Sequence, residues 1–277
     1  MGARVGSLHQ DNQFGEIKKW LLPPDPSTNF NEAKGKRHPG TGSWFLESDQ
    51  FTKWKSGARH CHCLWLHGIL GCGKSVLSST VIEHLRQHQD ASQIVLYFFF
   101  DFTDSNKQVT DKLIRSLLSQ LYSGCEKSRD ELDELFKSHK KGLEQPETAR
   151  LSQTFQHIIR HVEKIQIVID ALDECRDRKE LLPWMDKLLK SGHTGLFLLF
   201  TSRKEGDIES GLKLWLKEEH IVSIQQDLVD SDIRLYVQEK LYSNKELYPD
   251  NEFHRWDNQP SVLEEIETEI MKKAGGM

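Results

Sequence analysis

Residues 63–75 read Cys63-Leu64-Trp65-Leu66-His67-Gly68-Ile69-Leu70-Gly71-Cys72-Gly73-Lys74-Ser75, and the fold follows from how this stretch divides. Its first five positions are a short, mostly apolar run of strand length. Gly68 to Ser75 matches G-x-x-x-x-G-K-[ST] at every fixed position. Beyond it, Leu77, Val81, Ile82 and Leu85 recur on one helical face. Strand, glycine-rich loop and helix, in that order, turn backbone N–H groups inward around an anion. Gly68, Gly71 and Gly73 permit the dihedrals and the close approach. Cys72 and Val76 belong to the same amide rim, and the helix N-terminus attracts negative charge. Lys74 supplies a cation for the β- and γ-phosphates of a nucleotide, and the Ser75 hydroxyl can ligate Mg²⁺. A chance glycine-rich turn would lack the flanking strand and helix.

Working outward, Ile165-Gln166-Ile167-Val168-Ile169-Asp170 reads as a buried strand ending in a carboxylate. A nucleotide-bound Mg²⁺ needs a carboxylate at a strand end beside the loop, and Asp170 can act directly or through water. Asp173 and Glu174 follow where a γ-phosphate would lie, and Glu174 is the better candidate to orient an attacking water. Leu196 to Phe200 is a further apolar strand, ending in Thr201-Ser202-Arg203. Arg203 at that end could sense the γ-phosphate; the plainer reading is a surface arginine paired with Glu205 or Asp207.

Ile94 to Phe100 is apolar throughout, the pattern of a strand buried on both faces. Ile221 to Ile224 could be a fifth strand. Helices are expected at about 14–22, from Trp44 to Trp54, from Gln108 to Ser123, from Leu151 to Val162, from Leu181 to Leu189, from Asp230 to Leu241 and from Val262 to Lys272. Pro183 is placed in a first turn, where it is tolerated. Glu126 to Lys141 is charge-rich and reads as a solvated helix, and the segment before His38 as a polar, basic linker. Strands alternating with helices mean an α/β fold around a parallel sheet.

The chain has 277 residues, a net charge of −5 and a pI near 6.2, so nothing draws it generally to nucleic acid or an anionic membrane. Its longest apolar run is strand-length, and the N-terminus has no apolar signal core. Five cysteines, odd in number and scattered, argue for a reducing, cytoplasmic setting over a disulfide framework. Cys61-His62-Cys63 has no second ligand pair at zinc spacing and reads as ordinary strand residues.

Taken together, GILGCGKS, IQIVIDALDEC and FLLFTSR resemble a NACHT-type domain of the STAND group of P-loop NTPases. The nearest variety is the nephrocystin-like N-terminal domain of large fungal NOD-like receptor proteins. Flanking text is similar too: Pro39-Gly40-Thr41-Gly42-Ser43-Trp44-Phe45-Leu46 and Tyr97-Phe98-Phe99-Phe100-Asp101. The resemblance implies a three-layer sheet of order 5-1-4-3-2. It implies phosphate and Mg²⁺ at Lys74 and Ser75, Asp170 as the metal carboxylate, Asp173 and Glu174 as the catalytic acidic pair and Arg203 as sensor. It implies a base held by the segment from Arg37 to Gly42, with Arg37 and Thr41 named. Ala171 stands where relatives have Gly, and its small size makes that departure mild.

The implied organisation is a short helix and linker over 1–36, the P-loop domain over 37–226 and the start of a helical domain over 227–277. In relatives that helical segment continues into a winged helix, so an incomplete switch or fragment is expected. The expected function is an ATP-binding (or GTP-binding) signalling switch with slow Mg²⁺-dependent hydrolysis, nucleotide and self-association its partners. One alternative is a non-catalytic interaction module. The other is a small-molecule kinase, but segment 102–164 shows no arginine-rich lid for it.

Overall fold

The computed structural model describes residues 13–57, 61–125, 128–224, 226–243 and 251–274. Five parallel strands form one sheet: β1 (Cys63–His67), β2 (Gln93–Phe99), β3 (Lys164–Asp170), β4 (Leu196–Ser202) and β5 (Ile221–Ser223). Their order is β2-β3-β4-β1-β5, the expected 5-1-4-3-2. β4 therefore lies between the loop strand and the Asp170 strand. Register aligns the strand tips: His67 pairs with Ser202, Ile169 with Phe200 and Phe99 with Asp170.

Strand side chains alternate between two cores, as the pleat requires. Trp65, Phe98, Ile167, Ile169, Leu198 and Phe200 enter one core, and Leu64, Leu66, Tyr97, Phe99, Val168 and Leu199 the other. That two-sided burial is why the strands read as unbroken apolar runs rather than alternating ones. The first core is covered by α1 (13–21), α6 (Thr110–Gly124), α7 (Arg129–Ser138), α8 (Thr148–Ile159) and α9 (Arg178–Leu189). The second is covered by α2 (Ser27–Lys36), α3 (Ser43–Leu46), α4 (Asp49–Ser56) and α5 (Lys74–Gln87). α10 (Gly206–Leu212) follows β4, and α11 (Gln226–Leu241) and α12 (Pro260–Ala274) close a small third cluster around Val237, Leu241 and Leu263.

Four elements depart from expectation. The segment before His38 is no linker over Ser27–Lys36 but helix α2, with Phe30 and Ala33 buried. Lys107 Nζ donates to Asn29 Oδ1 at 2.5 Å and Asn29 donates to Asp101 at 2.8 Å, tying that helix to the tip of β2. α7 is not solvated throughout: Leu132, Leu135 and Phe136 are buried. The expected helix from Trp44 to Trp54 is broken at Ser48, which caps α4 by accepting from Phe51 N at 3.2 Å. Finally, α9 begins at Arg178, so Pro183 lies inside the helix and not in its first turn. It has no N–H to give the Lys179 carbonyl.

Candidate phosphate loop and carboxylate site

The loop after β1 rises to the N-terminus of α5. Gly71 and Gly73 have φ of 80° and 83°, left-handed values that a side chain would strain. A Cβ on Gly68 would meet Cys72 Sγ at 2.5 Å. Lys74 Nζ curls back over the loop and donates to the carbonyls of Gly68 at 3.0 Å and Ile69 at 2.7 Å. Its ammonium is thus held in the mouth of the amide rim, where a phosphate oxygen could replace those carbonyls.

Asp170 at the tip of β3 is buried and accepts three hydroxyl bonds. Ser75 Oγ donates at 2.6 Å, Ser78 Oγ at 2.6 Å and Thr201 Oγ1 at 2.7 Å. Thr201 lies on β4, the strand next to β3, and its hydroxyl also accepts from Ala171 N at 3.0 Å. Burial pushes the Asp170 carboxyl above its ordinary range, against the three hydroxyl bonds and the Lys74 charge. The oxygen donors of Ser75 and Asp170 are the hard ligands Mg²⁺ takes, and their 2.6 Å contact places both at one point.

The structure separates the acidic pair. Both Asp173 oxygens are taken by Arg203, whose backbone N donates at 2.9 Å and Nε at 2.6 Å. Asp173 is buried, while the Arg203 side chain is 46% exposed and also reaches Glu205 at 3.3 Å. Glu174 instead accepts from Phe102 N at 2.9 Å. Burial raises its carboxyl, with neighbouring Asp173, Asp170 and Asp101 adding to the rise and the Phe102 N–H opposing it. Lys74, Ser75, Asp173, Glu174 and Arg203 line one open cavity of about 1190 Å³.

That cavity holds a residue the sequence reading passed over. Arg178, at the start of α9, pairs with Glu205 at 2.6 Å and Asp207 at 3.0 Å and donates to the Asp173 carbonyl. The basic residues within the acidic run from Asp173 to Glu180 were its only trace. Ala171 also proves less innocuous than its size suggests. It sits at φ 58°, ψ 55°, a left-handed conformation that costs a residue with a Cβ. Ala171→Gly is expected to stabilise the chain by about 0.5–1 kcal/mol, seen as a higher urea midpoint with unchanged slope.

A second cavity, of about 280 Å³, lies on the other side of the loop. Thr41, Gly42, Trp44, Gly71, Cys72, Gly73 and Val76 line it together with Val229, Asp232, Ile233 and Tyr236 of α11. Of the two residues expected at the base, Thr41 is there. Arg37 lies outside this lining, contacting Glu83 at 3.3 Å and the Thr41 carbonyl at 3.4 Å. Asp232 was not foreseen. One of its oxygens accepts from Gly42 N at 2.9 Å and from the Trp44 indole at 3.1 Å, joining α11 to the turn before the sheet. Burial raises this carboxyl too.

A family described as Nephrocystin 3, N-terminal, matches residues 40–203, more than half of the chain, from the turn at Gly40 to Arg203. Among solved structures, Cdc6p from Pyrobaculum aerophilum is similar at 12% identity and a TM-score of 0.47, over 72% of this chain and 49% of that one. A DNA replication initiation factor aligns at 10% identity and a TM-score of 0.41, over 86% of this chain and 66% of that one. C. elegans PCH-2 aligns at 14% identity and 0.32, over 78% and 45%. The chain thus spans about half to two thirds of the length of these proteins, and likenesses this distant say nothing of activity. No curated protein matches. Among the described residues, no helix is long and apolar enough to cross a membrane.

Proposed function

The chain belongs to the nephrocystin 3 N-terminal family, and on that premise we propose that it is a Mg²⁺-dependent nucleotide-binding module with the switch role of a STAND-type signalling NTPase. The observation that carries this reading is the meeting of Lys74 and Ser75, at the start of α5, with Asp170 at the end of β3, Ser75 Oγ lying 2.6 Å from Asp170. The amide rim and Lys74 hold the β- and γ-phosphates. Ser75 and Asp170 hold Mg²⁺, which when bound neutralises charge on the phosphate oxygens.

Glu174 orients the attacking water and takes its proton, a role that its raised carboxyl suits. Asp173 is a positioning residue, holding Arg203 toward the cavity that the γ-phosphate enters. Loss of that phosphate changes what Arg203 touches, and through it the loop before α10. Self-association gated by the bound nucleotide is the matching output.

The base occupies the smaller cavity between Trp44, Tyr236 and the apolar side chains of α11, and Asp232 accepts from an amino group of a purine. ATP and GTP both offer such a group. Asp232→Ala is expected to weaken ATP binding about tenfold while leaving tripolyphosphate binding unchanged, since it removes the base contact and the α11 bonds to Gly42 and Trp44 but none of the bonds made by Lys74 or Ser75. Calorimetric titration with each ligand reads both.

Titration of the full chain with ATP·Mg²⁺ and GTP·Mg²⁺, together with a phosphate-release assay, tests the reading. Saturable binding with slow release supports it, and Glu174→Gln should bind as tightly but release no phosphate. Absence of binding to either nucleotide contradicts it. Transfer of phosphate to small acceptors in place of water would favour the kinase alternative.

A further inference from the structure

One cluster of metal-ligating side chains lies away from both cavities. Glu131 of α7, with His157 and His161 at the end of α8, brings one donor atom each to within 4.8 Å of the others. Glu131 Oε1 and His157 Nδ1 are 3.0 Å apart. The two imidazoles meet edge to face with centroids 5.5 Å apart.

The local backbone explains the convergence. The histidines are four positions apart, and Arg160, the C-cap of α8, keeps helical dihedrals of φ −63° and ψ −22°. His161 N still donates to Ile158 O at 3.0 Å, so His161 stays one turn beyond His157 on the same face. α7 presents Glu131 there because Leu132, Leu135 and Phe136 share a core with Leu151, Phe155 and Ile158. The register of Glu131 is therefore fixed by packing and does not depend on the ion pair.

We propose that Glu131, His157 and His161 form a zinc site that clips α7 to α8. Two imidazoles and one carboxylate are a donor set zinc takes, with water in the remaining position. Bonds of about 2.0–2.1 Å place tetrahedral donors roughly 3.3 Å apart. The 3.0 Å pair already has nearly that spacing, and rotation of the exposed His161 brings in the third. An ion pair alone accounts for Glu131 and His157 but gives His161 no part. Mg²⁺ prefers oxygen ligands, so the nucleotide's metal does not compete here. The buried thiols are poor rivals for zinc, since burial pushes Cys61 up to about 11 and Cys63 up to about 12.

Cobalt(II) titration of the full chain, followed by visible absorption, tests the site. Weak d–d bands without an intense thiolate band are expected, and Zn²⁺ should abolish them by displacement. His157→Ala and His161→Ala should each weaken binding tenfold or more. Lys74→Ala should leave it unchanged. Thermal melts without metal check that the variants fold, which the exposure of both histidines favours. No d–d bands in the parent chain, bands unchanged in both histidine variants, or a dominant thiolate band would each overturn the proposal.

Discussion

Lys74→Ala is expected to lower nucleotide affinity roughly a hundredfold or more without destabilising the free chain. The ammonium makes two charge-assisted bonds in the mouth of the loop, now to the Gly68 and Ile69 carbonyls. Phosphate oxygens, being charged, are better acceptors than those carbonyls. Removing the side chain loses both bonds to the ligand, about 3 kcal/mol in sum. The free chain loses only two partly exposed bonds to carbonyls, so its melting temperature should hardly move. Calorimetry and a thermal melt on the same preparation separate the two effects. A melting temperature raised by ATP·Mg²⁺ in the parent and not in the variant is the expected pattern.

The second large effect is Asp170→Asn, and its two parts run in opposite directions. Burial raises this carboxyl's pKa in the fold, so the folded chain holds the proton more tightly than the unfolded chain does. The stabilising contribution of the group is therefore fully present below the usual carboxylate range and is lost as pH rises through the raised value. Above that raised value the free chain keeps a buried charge offset only in part by Ser75, Ser78, Thr201 and Lys74. An amide of the same shape removes that charge. In that pH range the free variant should melt higher by about 2–4 °C, on the order of 1 kcal/mol for a chain of this size. The gain should shrink on acidification, because the parent carboxyl then takes up its proton. The same change removes a charged ligand from the Mg²⁺ site, so the Mg²⁺-dependent part of nucleotide affinity should fall about 10–100-fold. A variant that is more stable alone yet less stabilised by ATP·Mg²⁺ would identify Asp170 as a group kept for function at a cost in stability.

What could be read in advance was whatever leaves a local pattern. The buried strands announce themselves because Ile94 to Phe100 and Leu196 to Phe200 have no solvent face, and the loop because glycine and lysine spacing is fixed by the anion it suits. Helix α2 escaped because Ser27–Lys36 is polar apart from Phe30 and Ala33, and one aromatic anchors it. The buried side of α7 was hidden by its many charges. Tertiary pairing was out of reach altogether. That Asp173 is committed to Arg203 while Glu174 is held by Phe102 depends on how three loops meet. So does Asp232, which reaches Gly42 across 190 positions of chain. Ala171 was judged by size, whereas its backbone angle is what matters.

The most direct measurement is an experimental structure of the chain with a non-hydrolysable ATP analogue and Mg²⁺. The β- and γ-phosphates should lie within hydrogen-bond distance of the amides from Gly71 to Ser75 and of Lys74 Nζ. The metal should sit on Ser75 Oγ with Asp170 beside it or one water away, and the base against Trp44 and Asp232. A nucleotide bound elsewhere, or a triphosphate in the loop with its metal held away from both Ser75 and Asp170, would contradict the account.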